Sequence, residues 1–572
     1  MNTIFKHKIL AGAVLFAALF AGTSCEDKIG PEVTPEAPYA DKTLYEVIVA
    51  DDNLTDFVEV LRACNLPGSK FDVADSLFNT SRVYTLWAPV NGAFKKDSVI
   101  KRINDGHRDD VMKTFVESHV ANHLHAAKGI FEKNNFVMMV NDKMVVFEGS
   151  YKTGYKFGGR NLVDDNIKVL NGMLHKLEKA SRYKYNIWEY LRMDKTTLGG
   201  HEIDSFANFL YSYNDTKFDE YQSIPGSLVN GEQTYLDSVF VTTNKLLSVY
   251  NGVGPIEAED SLYDIYVPTN AVWNSFMKQA EKHFNYSTKN LPASIKADAR
   301  YIDSLKHFYP RYNMVKYLTF SEYEQMYAED DSLLPANRDK WERPVFKPGL
   351  FDGSVVYDEE LSNGTFNIIN KFPYSIFELW HDTIKIEGEN TEMRISTNGV
   401  EEHRFFTVTR GQMRPVYRDY DKKGGSRLSG DSYYEAYTQG NTAKVSYRLP
   451  NVKSASYKIA IILVPKDISV ESQEANKPAC LNLSISQNGE QQPVYQATMI
   501  SNDPNRVDTL FFPVSYIDKT PKPITFPYCE YYNTHKNTDF TTTLDITSWG
   551  LGTNDKTLRI DAILLIPVED AE

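Results

Sequence analysis

The chain has 572 residues, with 62 Lys and Arg against 76 Asp and Glu, and a formal charge of −14. Length allows roughly three or four domains, and the negative charge works against nucleic acid or an anionic surface as a partner. Four cysteines with no Cys-x-x-Cys spacing give no zinc-ligand pattern.

At the N-terminus, Lys6 and Lys8 precede an apolar run from Ile9 to Ala21. The run is too short to span a bilayer and has the size of a signal segment. Small residues Ala21-Gly22-Thr23-Ser24 lead into Cys25. This resembles the lipobox of bacterial lipoproteins, which implies a signal peptide over 1–24 and lipidation of Cys25. The following Glu26-Asp27-Lys28 is similar to the tag that sends some lipoproteins to the outer face of the outer membrane. The resemblance therefore implies an outer-membrane, lipid-anchored protein facing the exterior. Residues 25–40, with Pro31, Pro35 and Pro38, read as an extended tether.

Leu44, Val47, Ile48, Leu54, Phe57, Val60 and Leu61 recur at helical spacing and predict two short helices broken near Asp51-Asp52-Asn53. Next comes the block Tyr84-Thr85-Leu86-Trp87-Ala88-Pro89-Val90-Asn91-Gly92-Ala93-Phe94. Pro lacks a ladder donor, so the strand is expected to stop at Pro89, and Asn91 is expected to cap the helix that follows. Val111, Phe115, Val116 and His119 form a further helical stripe. The period then changes to two, with a hairpin expected around Asn141-Asp142-Lys143 and two closing strands around Asn171-Gly172. His119 and His175 read as buried residues satisfied by backbone hydrogen bonds rather than as ligands.

The block recurs as Tyr263-Asp264-Ile265-Tyr266-Val267-Pro268-Thr269-Asn270-Ala271-Val272-Trp273, which points to a duplicated domain. Thr85 to Phe94, Ser118-His119-Val120 and Asn171-Gly172-Met173-Leu174-His175 together resemble the three conserved blocks of the fasciclin-like domain, in family order. The resemblance implies one fasciclin-like domain over 41–182 and a diverged copy over 183–380, closed by Asn363-Gly364-Thr365-Phe366-Asn367. Insertions near 212–235 and 275–300 are candidate partner surfaces.

In the last third, 381–572, helical pattern gives way to short alternating runs such as Tyr457 to Val464 and Leu558 to Leu565. These predict a β-sandwich. The fold class expected for the chain is thus α+β, two tandem fasciclin-like domains followed by an all-β jelly-roll-like sandwich. The sandwich resembles carbohydrate-binding modules, which implies a structural calcium held by Glu387, Glu389 and Asp561, hard oxygen donors on the first and last strands. Tyr433, Tyr434 and Tyr437, or Tyr528, Tyr531 and Tyr532, are candidates for stacking on sugar rings, with core packing as the alternative. Cys480 and Cys529 either pair or remain buried thiols. Asp-Ser/Thr-aliphatic triplets, among them Asp97-Ser98-Val99 and Asp237-Ser238-Val239, resemble an O-glycosylation signal of exported bacterial proteins and also suit helix caps.

No Gly-x-Ser-x-Gly elbow, P-loop, dinucleotide fingerprint or His-Glu-x-x-His is present. The expectation is a non-catalytic surface lipoprotein that binds a macromolecular partner. It would serve as an accessory subunit of a Sus-type outer-membrane nutrient importer or as an adhesin. The alternative is glycan binding through the C-terminal sandwich.

Overall fold

The structure is a computed structural model. It describes residues 39, 41–65, 78, 82–132, 135–229, 232–287, 299–329, 331–338, 345–375, 379, 381–419, 427–487, 492–513, 520–533, 538–550 and 552–568. The chain is mixed α/β and divides into two compact units, Met1–Tyr183 and Lys184–Glu572.

In the first unit, helices α1 (Leu44–Ala50) and α2 (Thr55–Ala63) break at Asp51–Leu54. Strand β1 (Tyr84–Pro89) is buried along its whole length and ends at its proline. Helix α3 (Lys96–Arg102) opens a helical stretch that runs to His119. There follow β2 (Val120–Asn122), β3 (Ile130–Phe131), β4 (Phe136–Met138), β5 (Met144–Ser150), β6 (Gly154–Phe157), β7 (Arg160–Val169) and β8 (Gly172–Leu177). They form one sheet in the order β2-β1-β8-β7-β6-β5-β3, with β4 paired to β5. β1 runs antiparallel to β2 and parallel to β8, and Tyr84 faces Gly172 in register.

The second unit repeats this plan. After α4 (Ile187–Tyr190) and α5 (Asp204–Tyr211) comes a two-stranded ribbon, β9 (Asn214–Val229) and β10 (Glu232–Asn244). Then follow β11 (Tyr263–Pro268), α6 (Asn270–Ala280), α7 (Ala299–Val315), β12 (Thr319–Ser321), β13 (Val355–Leu361) and β14 (Gly364–Ile369). The sheet order β12-β11-β14-β13 matches β2-β1-β8-β7. β11 is antiparallel to β12 and parallel to β14, with Tyr263 facing Gly364 as Tyr84 faces Gly172. A side chain at either glycine would run into the carbonyl of the facing tyrosine.

Four asparagines hold these two plans together. Asn171 Oδ1 accepts from the Leu44 N–H at 2.8 Å, and its amide donates to Phe78 O at 2.7 Å. Asn363 does the same, accepting from the Ile187 N–H at 2.9 Å and donating to Ile256 O at 2.8 Å. In each case the bonded N–H belongs to the first residue of the first helix. The block asparagines act on the second helix. Asn91 Oδ1 accepts from the Asp56 N–H and Asn270 Oδ1 from the Ser205 N–H, both at 2.9 Å. This corrects the expectation that Asn91 caps the helix after it. The cap of α3 is Lys95, with no side-chain bond, and Thr269 caps α6. Asn91 lies four residues before the cap position of α3, and its amide is taken up by Asp56 and, at 2.8 Å, by Asp52 O.

Residues 381–568 remain within the second unit and form two antiparallel sheets. One contains β15 (Ile384–Glu387), β17 (Glu402–Thr407), β18 (Ser432–Tyr437), β20 (Ser456–Leu463), β23 (Asp508–Phe512), β24 (Ile524–Thr525) and β28 (Leu558–Val568). The other has the order β16 (Arg394–Asn398), β19 (Lys444–Arg448), β27 (Thr542–Ser548), β21 (Cys480–Gln487), β22 (Tyr495–Ser501). Tyr434, Ile459, Ile461, Ile563 and Leu565 of the first sheet share one buried core with Val445, Tyr447, Leu483, Ile485 and Ile546 of the second. Backbone bonds from Ser454 to His283 O (3.1 Å) and from Cys529 to Asn285 O (2.7 Å) tie this region to the preceding residues of the unit.

Asn171→Ala leaves a buried N–H and a buried carbonyl without their partners, so it should cost about 2–4 kcal/mol. Asn363→Ala should cost a similar amount. Hydrogen exchange followed by mass spectrometry should show Asn171→Ala loosening α1 and β8, and Asn363→Ala loosening α4 and β14. Unchanged protection in both variants would overturn the role given to these amides.

Candidate functional site

The three carboxylates expected to hold a cation converge at a break in strand pairing. β28 pairs with β18 through Leu558–Ile560 and with β15 through Ala562–Leu565. On its other edge, Ile462 faces Ala562 while Leu463 faces Ile560, so Asp561 is the extra residue of a bulge. A bulge turns a side chain out of the ladder and ends local pairing. Asp561 is 1% exposed, and its Oδ1 accepts from the Ser429 N–H at 2.9 Å. The Ser429 hydroxyl donates to Glu387 Oε1 at 2.7 Å, and the Ser432 hydroxyl donates to Glu389. Lys385 approaches Glu387 at 3.0 Å.

Electrostatics make this junction unusual. Burial first, then the charges of Glu387 and Glu389, push the Asp561 carboxyl up to about 8. Glu387 Oε2 and Glu389 Oε2 are buried with no hydrogen-bond partner. These are hard donors that a divalent cation would satisfy while relieving the mutual repulsion. In the present arrangement, however, no three His, Cys, Asp or Glu side chains among the described residues stand at metal-holding distances. Serine hydroxyls occupy part of the space between the carboxylates. A cation would therefore have to draw Glu387 and Glu389 from those hydroxyls toward Asp561.

Of the described tyrosines expected on a sugar-binding face, two are buried. Tyr433 and Tyr434 are 5% and 0% exposed, because Tyr434 faces the core shared by the two sheets and Tyr433, on the other face of β18, packs with Val408, Met413, Tyr417 and Leu428. Tyr433 stacks on Phe406, and the Tyr434 hydroxyl bonds His403 Nδ1 at 2.6 Å. Neither ring is open to a ligand. Tyr437 is half-buried with the Arg404 guanidinium 4.1 Å from its ring centroid, and Tyr528 packs against the core of the preceding α/β region. The side chains of Tyr531 and Tyr532 lie outside the described residues, as does Cys25. Cys64, Cys480 and Cys529 are buried free thiols, so Cys480 and Cys529 are not paired.

His119 and His175 are both 0% exposed and carry full backbone partners. His119 Nε2 accepts from the Ser181 N–H at 2.9 Å, and Nδ1 lies 2.6 Å from Phe115 O. His175 Nδ1 accepts from the Asn166 N–H at 3.2 Å, and Nε2 lies 2.9 Å from His125 O. Each ring is thus a neutral donor–acceptor bridge, and burial pulls both down to about 4.

The ribbon is the feature whose form local pattern did not disclose. Neither of its strands pairs with any other strand among the described residues. Residues 215–218 and 240–243 are exposed, so both faces meet solvent. Phe218 and Phe240 face each other in register with ring centroids 5.6 Å apart, and Tyr235 adds an edge contact to Phe218 at 4.7 Å. Between Val239 and Asp237 the register jumps from Asp219 to Ile224. The extra residues loop around the Asp219 carboxylate, which accepts from the Tyr221 and Gln222 N–H groups at 2.9 and 3.1 Å. The loop carries Tyr221, which is 100% exposed. The sequence signal was the mixture of aromatic and acidic residues in an insertion between α5 and β11.

The chain matches no family model and no curated protein. Among solved structures, a FAS1 domain pair from the insect cell adhesion molecule Fasciclin I aligns with 59% of this chain and 97% of its own, at 11% identity and a TM-score of 0.19. An exo-beta-1,3-galactanase from Phanerochaete chrysosporium, solved with galactose, aligns with 32% of this chain and 29% of its own, at 11% identity and a TM-score of 0.17. At these TM-scores neither likeness carries an argument about this chain.

Two outcomes follow from the buried groups. Calcium competes with the proton on Asp561, so it should stabilise the chain by about 1–3 kcal/mol at saturating concentration and pH 8, and less at pH 5. Asp561→Asn should abolish that response in a thermal-unfolding assay and stabilise the calcium-free protein; an equal calcium response in wild type and variant would exclude this site. The histidines titrate at about 6.5 when unfolded and about 4 when folded, so the unfolded chain binds more protons between these values. Stability of the first unit should be full above pH 6.5 and fall toward pH 4, by about 3 kcal/mol for each histidine. His175→Asn, the residue found at the matching position Asn367, should remove about half of that slope in urea titrations.

Proposed function

We propose that this chain is a non-catalytic, lipid-anchored cell-surface protein that engages a macromolecular partner through the β9–β10 ribbon. Its two α/β regions are fasciclin-like modules, and its C-terminal sheets are a carbohydrate-binding-module-like sandwich stabilised by calcium. The lipid on Cys25 holds it to the outer membrane. The partner is the barrel of a Sus-type nutrient importer, for which this chain is an accessory subunit, or, in the adhesin version, a surface ligand.

The ribbon is the observation that carries this reading. A two-stranded ribbon is marginal in water on its own, and this one, about 40 Å long by strand rise, keeps aromatic side chains in solvent along its length. Exposed aromatic rings on a solvent-facing ribbon suit a partner interface, where their burial supplies most of the binding energy. Unpaired backbone groups along both ribbon edges add the means to pair with a strand of the partner. The glycan alternative through the sandwich has less support, because Tyr433 and Tyr434 are inside the sheet.

Native protein extracted from outer membranes in mild detergent should co-purify with a barrel protein. The variant Phe218→Ser/Tyr221→Ala/Phe240→Ser should lose the partner while keeping its circular dichroism and membrane location. Isolation of the wild-type protein alone would remove the importer version, and an unchanged complex with the triple variant would remove the ribbon as the contact. Release of the protein by Cys25→Ser would test the anchor separately.

A further inference from the structure

A cavity of about 510 Å³ in the first unit lies where β3, the β5–β6 turn and β7 meet. Its lining combines the Asp165 carboxylate, the Lys128 ammonium, the Ser150 hydroxyl and the Tyr151 ring around a floor that includes Tyr155. We infer that this cavity binds a single sugar residue or a disaccharide, with Tyr151 as the stacking platform and Asp165 as the hydroxyl acceptor. The inference is independent of the ribbon.

The framework beneath Asp165 is built with unusual care. Between Asp164, which faces Lys176, and Ile167, which faces Leu174, β7 carries one extra residue. Asn166 takes a left-handed conformation at φ 57° and grips the Ala127 peptide at both ends, accepting from its N–H at 2.8 Å and donating to its carbonyl at 2.9 Å. Its own N–H is held by buried His175. The bulge therefore stands on a rigid base, and it turns Asp165 toward the cavity instead of along the sheet. Asp165 Oδ1 accepts from the Asn166 side chain at 2.8 Å, which orients the carboxylate and leaves acceptor capacity on it. On the opposite wall, the Tyr155 hydroxyl donates to Gly129 O at 2.8 Å and fixes the Gly129 turn.

The chemistry of the lining selects the ligand class. A sugar presents hydroxyls that both donate and accept, with an apolar face of C–H groups. The Asp165 carboxylate and the Lys128 ammonium serve the hydroxyls, and the Tyr151 ring serves the C–H face, while the Ser150 hydroxyl holds the turn beneath Tyr151 by bonding Thr153 and the Lys152 N–H. Tyr151 is 73% exposed, so its ring is accessible. Asp165 and Lys128 have opposite charge, which gives neither an anionic nor a cationic ligand a clear advantage. The volume admits one or two pyranose rings and not a longer buried chain.

The test uses the full chain in calorimetry and saturation-transfer NMR against glucose, galactose, mannose, N-acetylglucosamine, lactose and cellobiose. At least one should bind, and Tyr151→Ala and Asp165→Asn should each weaken it about tenfold or more. Both positions are exposed, so circular dichroism and hydrogen exchange should be unchanged. The ribbon triple variant should bind the sugar as wild type does, which separates this site from the partner surface. Absence of binding to every sugar at millimolar concentration would overturn the inference. So would undiminished binding by both cavity variants, because the sugar would then sit elsewhere on the chain.

Discussion

Each α/β region of this protein depends on a buried asparagine at the start of the strand that runs parallel to the block strand. Asn171 and Asn363 each close the first N–H of a leading helix and a distant carbonyl with one side chain. A helix start has N–H groups with no partner of its own, and burying one unpaired is costly. By supplying that partner, the amide fixes where the helix begins relative to the sheet. The block asparagines Asn91 and Asn270 then fix the second helix in the same way. The glycine after each buried asparagine is required by the same constraint, because β1 lies so close to β8, and β11 to β14, that a Cβ would strike a tyrosine carbonyl. The duplicated sequence blocks are thus the two ends of one set of contacts, which is why they recur together, about 180 to 190 residues apart.

That set of contacts explains what could be read from sequence and what could not. Pro89 and Pro268 end their strands where local chemistry says they must. Alternation along Thr542–Ser548, buried at every second residue, is visible in the letters. The neutral, bridged state of His119 and His175 also follows from lone imidazoles on apolar elements. The destination of the Asn91 amide does not, since its acceptor bond goes to Asp56, 35 residues away. Arg394–Asn398 and Ser432–Tyr437 lack a clean apolar alternation and become strands through their neighbours. Glu387, Glu389 and Asp561 were identifiable by type. Their meeting depends on β28 changing partners at Asp561, a property of the sheet as a whole.

Bulges recur wherever this chain departs from regular pairing to present a polar or aromatic group. One lifts Asp561 into a carboxylate cluster, one turns Asp165 toward a cavity, and one loops Tyr221 into solvent. In each case a side-chain hydrogen bond secures the irregular segment: the Asp561 carboxylate accepts from the Ser429 N–H at the first, the Asn166 amide holds Ala127 at the second, and the Asp219 carboxylate accepts from loop N–H groups at the third. An extra residue in a ladder leaves backbone groups without partners, so it persists only where something nearby satisfies them. The three devices differ in what surrounds them. The buried one accumulates charge, the half-open one encloses volume, and the exposed one displays a ring.

The carboxylate cluster shows how burial decides the form a charge takes. Three acidic side chains within one buried junction cannot all remain ionised at low cost, so one of them holds a proton near neutral pH. A proton answers the problem for a single carboxyl and leaves Glu387 Oε2 and Glu389 Oε2 without partners. A divalent cation answers it for all three at once, but only if the Ser429 and Ser432 hydroxyls give up their carboxylate bonds. A cation at this site would therefore compete with the proton, and rising pH would favour it by removing the competitor. Glu387 ends β15 and Asp561 lies in β28, so a ligand at this junction would act on the pairing between the first and last strands of the C-terminal sheets.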